Sequence, residues 1–124
     1  MNTNSLTRPG SIGFNFESVA LRYLNTHGLE LVARNYRCTL GEIDLIMRDV
    51  NTIVFVEVRF RENESRGTAA ETVQYRKQHK IRKAAQHFLL AHKQQEQYSC
   101  RFDVLGITIV DQQLKFNWIS NAFL

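Results

Sequence analysis

Apolar positions recur along the chain with two different periods, and the changes between them mark out seven elements. From Ser11, a residue suited to capping a helix, Ile12, Phe16, Val19, Ala20, Tyr23 and Leu24 follow at three- and four-residue spacing. Asn25-Thr26-His27-Gly28 closes that helix, with Gly28 where helices commonly end. Three runs of strand character come next, about residues 29–38, 42–48 and 52–60. Gly41 and the Asp49…Asn51 pair punctuate them, which predicts two successive hairpins. A polar loop at 61–67 precedes a long helix, introduced by Thr68-x-x-Glu71 in the form of a capping box. Its apolar stripe is Val73, Ile81, Ala84, Ala85 and Phe88, and it ends near Lys93. Strands at 101–110 and 114–119, joined by Asp111-Gln112-Gln113, complete the order α-β-β-β-α-β-β. The expectation is a single α/β domain over residues 11–124, a mixed β-sheet flanked by helices, behind a flexible tail at residues 1–10.

Several charges interrupt these strands. In residues 53–59 the side chains alternate, so Val54, Val56 and Val58 point one way and Phe55, Glu57 and Arg59 the other. In the strand before, Ile43, Leu45 and Met47 share one face, and Glu42, Asp44 and Ile46 the opposite one. A hairpin that packs its aliphatic faces together places Asp44 and Glu57 on the same side. Two adjacent carboxylates repel unless a cation or a shared proton compensates. Hard oxygen ligands of this kind suit Mg²⁺ or Mn²⁺ rather than zinc. The plainer alternative is a solvated sheet face with Glu57 paired to Arg59 or Arg48. Stepping about 100° per residue from Val73 puts Lys77 inside the stripe of the long helix and Lys80 at its edge. Lys77 then either snorkels to water or reaches over the sheet toward Asp44 and Glu57. Glu17, on the flank of the first helix's apolar face, is a candidate third carboxylate.

Composition narrows the functional classes. The chain has 124 residues, 44% hydrophobic and 23% charged, enough for one core and ordinary for a globular domain. Its net charge of +4 is unevenly spread: residues 61–93 carry eight bases and three acids, a local +5, and the remainder sums to −1. That segment points to a polyanionic partner, with Arg61, Arg66, Arg76, Lys80 and Lys83 as its candidate phosphate contacts. The polar start Met1-Asn2-Thr3-Asn4-Ser5-Leu6 lacks the apolar stretch of a signal peptide, and no run is long enough to span a membrane. Cys38 and Cys100 have no zinc spacing and read as two buried thiols of a cytoplasmic protein. His27, His79, His87 and His92 show no ligand spacing with the carboxylates. Nothing has the form of a sequence-reading module such as a helix-turn-helix or zinc finger.

Gly13-x-x-x-Glu17-x-x-Ala20, Asn35-x-Arg37, Gly41-Glu42-Ile43-Asp44-Leu45-Ile46, Phe55-Val56-Glu57-Val58-Arg59-x-Arg61, Lys77 and Arg101-Phe102-Asp103-Val104 together resemble the YraN family. These are small bacterial proteins of unassigned function, and the resemblance runs from about Gly13 to Phe123. The family in turn resembles the restriction-endonuclease-like superfamily, especially its Holliday-junction-resolvase branch, whose signature is an Asp followed on the next strand by Asp/Glu-x-Lys around Mg²⁺. The resemblance implies a restriction-endonuclease-like domain. It also implies Asp44 and Glu57 as metal-holding carboxylates, the Val58 carbonyl as a further ligand, and Glu17 as the acid of the first helix. The superfamily lysine is replaced by Arg59, which stays cationic and cannot act as a general base. Lys77 is the candidate for that lysine's task.

Three functions follow as expectations. The first is a Mg²⁺-dependent nuclease cutting DNA phosphodiesters, recognising branched or damaged DNA by shape. Asp44 and Glu57 would hold metal, and Lys77 and Arg59 would stabilise the phosphorane charge. The second is a catalytically inactive nucleic-acid-binding module of the same fold. The third is a protein-interaction subunit. Resolvase-like folds often pair two copies, and Phe60, Trp118 and Phe123 are the candidate aromatics for a homodimer contact.

Overall fold

A computed structural model describes residues 15–61, 73–95 and 97–124. The N-terminal tail, Ser11, the Thr68/Glu71 capping box and Arg66 lie outside the described residues. The elements are α1 (Phe16–Thr26), β1 (Glu30–Cys38), β2 (Gly41–Asp49), β3 (Thr52–Arg61), α2 (Tyr75–Ala91), a short 3₁₀ turn (Lys93–Gln95), β4 (Ser99–Val110) and β5 (Gln113–Phe123). The α-β-β-β-α-β-β order holds, and the protein is an α/β fold around one mixed sheet.

The five strands lie side by side in chain order. Neighbours are antiparallel except β3 and β4, which run parallel because α2 carries the chain back across the sheet between them. Two-residue loops close both early hairpins: Cys38 pairs with Gly41 and Asp49 with Thr52. Val50 in the second loop adopts a positive φ of 54°, the left-handed conformation such tight turns demand. Asp111 and Gln112 do the same between β4 and β5, at 51° and 64°.

Each face of the sheet carries its own core. Ile46, Ile53, Phe55 and Val104 meet Ile81, Ala84, Ala85 and Phe88 of α2 on one side. Leu45, Met47, Val54, Val56, Leu105 and Ile107 meet Ala20 and Leu24 of α1 on the other. Coverage on both faces explains why β3 reads as an almost unbroken aliphatic run.

The structure corrects the sequence reading at several places. Ile43 packs in the α2-side core rather than with Leu45 and Met47, so alternation breaks on β2 beside Asp44. The described part of the second helix begins at Tyr75, so Val73 packs beneath it from just ahead of its first turn. The first helix takes its cap from Asn15, whose carboxamide accepts from the amides of Glu17 and Ser18 at 2.9 and 3.1 Å. Cys38 is half-buried and Cys100 exposed, and both are free thiols, against the expectation of two buried ones. The last strand runs on to Phe123. Among the described residues no helix is long and apolar enough to cross a membrane.

Gly41 sets the seat of α2. A Cβ there would stand 2.7 Å from the carbonyl oxygen of Lys80 and 3.2 Å from its carbonyl carbon, and backbone atoms yield only if the helix moves. Gly41→Ala is therefore expected to cost about 1–3 kcal/mol by forcing α2 off the β1–β2 hairpin. Urea unfolding of the two proteins side by side measures it. A loss within the noise of surface substitutions would mean that the helix is not seated as described.

Candidate active site

The site begins where two strands part. The β2–β3 ladder runs from Asp49↔Thr52 to Leu45↔Val56 and stops, whereas β2 stays paired with β1 as far as Gly41. Asp44 and Glu57 are the first residues beyond that fork. The Val58 amide, which has no Asp44 backbone partner in the ladder, donates instead to Asp44 Oδ2 at 2.8 Å. The Asp44 side chain thus fills the gap left by the ladder, and its carboxylate lies close enough to that of Glu57 to act on its charge. One strand break accounts for both the placement of Asp44 and the irregular alternation at Ile43.

Glu57 is 3% exposed and lies under α2. Lys77 Nζ, from the first turn of that helix, stands 2.6 Å from Glu57 Oε2, and Arg59 Nη1 stands 4.0 Å from the same oxygen. The face is therefore not a solvated sheet surface. Arg48, the other partner considered for Glu57, bonds Glu30 at 2.9 Å. The Lys77 side chain remains 46% exposed, so its stem spans from solvent to the buried carboxylate.

Burial pushes Glu57 up from an ordinary 4.5 to about 7, and the neighbouring Asp44 adds to the shift, while Lys77 pulls the other way. The folded protein thus holds this proton more tightly than the unfolded chain. Its stabilising effect is complete below the ordinary carboxylate range and is lost as pH rises through about 7. In chelator-treated buffer the protein is expected to lose on the order of 2 kcal/mol between acid and mildly alkaline pH from this group. Glu57→Gln should flatten that slope and be the more stable of the two above pH 8. Denaturant unfolding over a pH series measures it; parallel pH curves for parent and variant would contradict it.

Glu17 goes elsewhere. Its Oε1 accepts from Asn35 Nδ2 at 2.8 Å and lies 3.5 Å from Arg34 Nη2. Asn35 has a φ of 49°, a left-handed kink in β1 that Asn tolerates better than most residues. Among the described residues no three His, Cys, Asp or Glu side chains gather closely enough to hold a metal. The structure thus brings Asp44, Glu57, Arg59 and Lys77 together, and holds Glu17 on the Asn35 side.

Arg101-Phe102-Asp103-Val104 proves structural. Asp103 is fully buried, and its two oxygens accept from Arg101 Nε at 3.1 and 3.2 Å, from Trp118 Nε1 at 2.9 Å and from the Asn121 amide at 2.9 Å. Arg101 continues to Asp49 at 3.2 Å. The carboxylate ties β5 to β4 where their register shifts between Phe102 and Val104.

The fold and this order of signature residues fit one family, and sequence comparison agrees. A family model described as "Uncharacterised protein family UPF0102" matches residues 16–107. The chain belongs to the UPF0102 family. UPF0102 is the YraN family that the motifs resemble, and its general placement is the restriction-endonuclease-like superfamily. A UPF0102 protein of Stutzerimonas stutzeri (strain A1501) is 50% identical over 91% of this chain and 94% of its own. One from Aeromonas hydrophila subsp. hydrophila is 51% identical over 91% of this chain and 85% of its own, and one from Coxiella burnetii 45% identical over 95% and 94%. The family match spans the fork residues, the Lys77 turn of α2 and Asp103 itself, and ends before its β5 partners Trp118 and Asn121.

The remaining predicted contacts spread along one side of α2. Arg76, Lys80 and Lys83 are exposed on that helix, and Arg61 ends β3. Of the three aromatics considered for a dimer contact, Phe60 stacks on Phe16 at 4.0 Å and Phe123 on Phe102 at 5.2 Å, while Trp118 serves Asp103. Arg37, which lines a cleft between the β1–β2 hairpin and the start of α2, had no role from spacing. Its place in Asn35-x-Arg37, two residues past the Asn35 kink, is the signal that pointed to it.

Proposed function

We propose that the protein is a Mg²⁺-dependent nuclease that hydrolyses DNA phosphodiesters, with branched or damaged DNA as its substrates. The observation that carries this reading is the meeting of Asp44 and Glu57 at the β2–β3 fork, with the Lys77 ammonium 2.6 Å from Glu57. Two carboxylates that converge at one point, Glu57 buried and Asp44 partly so, offer hard oxygens that suit Mg²⁺ or Mn²⁺. Asp44 and Glu57 would hold the ion, with the Val58 carbonyl completing the set that the superfamily resemblance implies. Bound there, the metal would supply an activated water and neutralise charge on the leaving oxygen.

The chain's own groups do the rest. Lys77 is a cation paired with Glu57 and half exposed, so a phosphate oxygen can meet it from the open side. Arg59 keeps a fixed positive charge beside them and is suited to paired contacts with phosphate. The exposed bases of α2 favour the backbone over base edges, which supports recognition by shape. Incubation with linear, nicked and four-way DNA, with Mg²⁺ and with chelator, tests the reading. Metal-dependent cuts concentrated on the branched or nicked substrate are expected; no cleavage of any substrate would refute it.

A binding module without chemistry is favoured by one observation, Arg59 at the superfamily's lysine position. It predicts salt-sensitive DNA binding with no cleavage, unchanged when Arg59→Lys restores the usual residue.

A further inference from the structure

A cleft of about 560 Å³ lies between the β1–β2 hairpin and the first turns of α2. Among the described residues Arg37, Arg76, Lys77 and Lys80 line it, against a single acid, Glu42. Glu42 bonds Arg37 at 3.2 Å, but both side chains are largely in water, where such a pair holds weakly. The N-cap residue of α2, Gln74, forms another part of the wall and makes no side-chain capping bond, and the first turn carries no acid. The positive end of the helix and four cationic side chains thus face one space. Gly41 keeps the space closed at its base by letting hairpin and helix backbones touch. A second hollow of about 420 Å³ adjoins it, sharing Leu40 and Lys80 and adding Lys83.

We propose that this cleft and its extension form a phosphate track. The track holds the sugar–phosphate backbone of one nucleic-acid strand along α2 and delivers it to the β2–β3 fork. The proposal rests on the nuclease reading for where the strand leads, but not for the binding itself. Lys77 belongs to both places: it lines the cleft and reaches Glu57, so a strand in the track passes within reach of the carboxylates. Among the described residues the cleft's lining presents cations and aliphatic carbons but no aromatic ring, so they give bases no platform to stack on. Binding is therefore through phosphates, independent of sequence and steeply weakened by salt. Arg37 enters the track from the hairpin side, opposite the helix, so that the backbone is gripped from both walls.

Fluorescence anisotropy with a labelled DNA duplex, over a range of salt concentrations, tests it with Arg37→Gln/Lys80→Gln. The control Arg22→Gln/Lys115→Gln removes the same charge from exposed positions on α1 and β5. The cleft variant is expected to bind roughly tenfold more weakly and to lose about two from its log–log salt slope, with the control near the parent. Equal affinities and slopes for cleft variant and control would overturn the track, even if the parent cuts DNA. A parent that fails to bind DNA but binds an acidic peptide through the same residues would overturn it in favour of a protein partner. Parent protein that binds through the cleft yet never cleaves would uphold the track and refute only the nuclease reading.

Discussion

Asp44→Ala/Glu57→Ala is expected to reduce metal-dependent DNA cleavage by about a thousandfold or more, a loss of roughly 4 kcal/mol of transition-state stabilisation. Both carboxylates stand at one fork, so the single variants should each lose most of this and the double little beyond them. Such non-additivity is what groups acting as a unit show. DNA affinity should hold or rise, because removing two acids relieves repulsion of phosphate while the cations of α2 remain. Lys77→Ala should do the reverse in part, leaving Glu57 buried without its cation and weakening both binding and rate. Single-turnover cleavage beside anisotropy separates the two effects. If the double variant cuts at the parent's rate, the chemistry lies elsewhere.

A second large effect is expected far from any chemistry. Asp103→Ala would strip acceptors from Arg101, the Trp118 indole and the Asn121 amide at once. Removing one member of a buried charge network costs about 3–5 kcal/mol, because the Trp118 indole and the Asn121 amide lose this acceptor and Arg101 is left with Asp49. Asp103→Asn should cost less, since one oxygen still accepts. Trp118 is the only tryptophan, so its emission follows the loss directly during urea unfolding. A cost under about 1 kcal/mol would show that the network is not holding β5 to the sheet. Asp103 lies in a signature segment, yet its oxygens are already occupied by donors, which separates it from Asp44 and Glu57.

The sequence exposed the sheet and the Asp44/Glu57 pair because each rests on local pattern. Alternation in residues 53–59 put Glu57 beside Phe55, and helical spacing put Lys77 over it. Both relations survive folding because strand and helix periods are rigid. The pattern failed where the structure departs from regular pairing. Simple alternation puts Ile43 on the wrong face because the ladder stops at Leu45, and a ladder's end leaves no mark in a hydrophobic string. Asn35's positive φ diverts Glu17 to a partner that spacing could not supply. Asp103 is invisible as a structural hub because, beyond Arg101, its partners come from β5, eighteen residues away for Asn121. The cleft joins Arg37 to a helix two strands later, a proximity set by Gly41 rather than by any local period.

The central claim is that Asp44 and Glu57 form a divalent-metal site, and calorimetric titration with Mg²⁺ or Mn²⁺ near pH 7.5 tests it without reference to any substrate. The parent is expected to bind with heat and proton release as Glu57 ionises, and to gain thermal stability with metal concentration. Asp44→Asn/Glu57→Gln, which keeps the shape of both side chains, is expected to show neither. Identical titrations and identical metal-induced stabilisation in the two proteins would contradict the account.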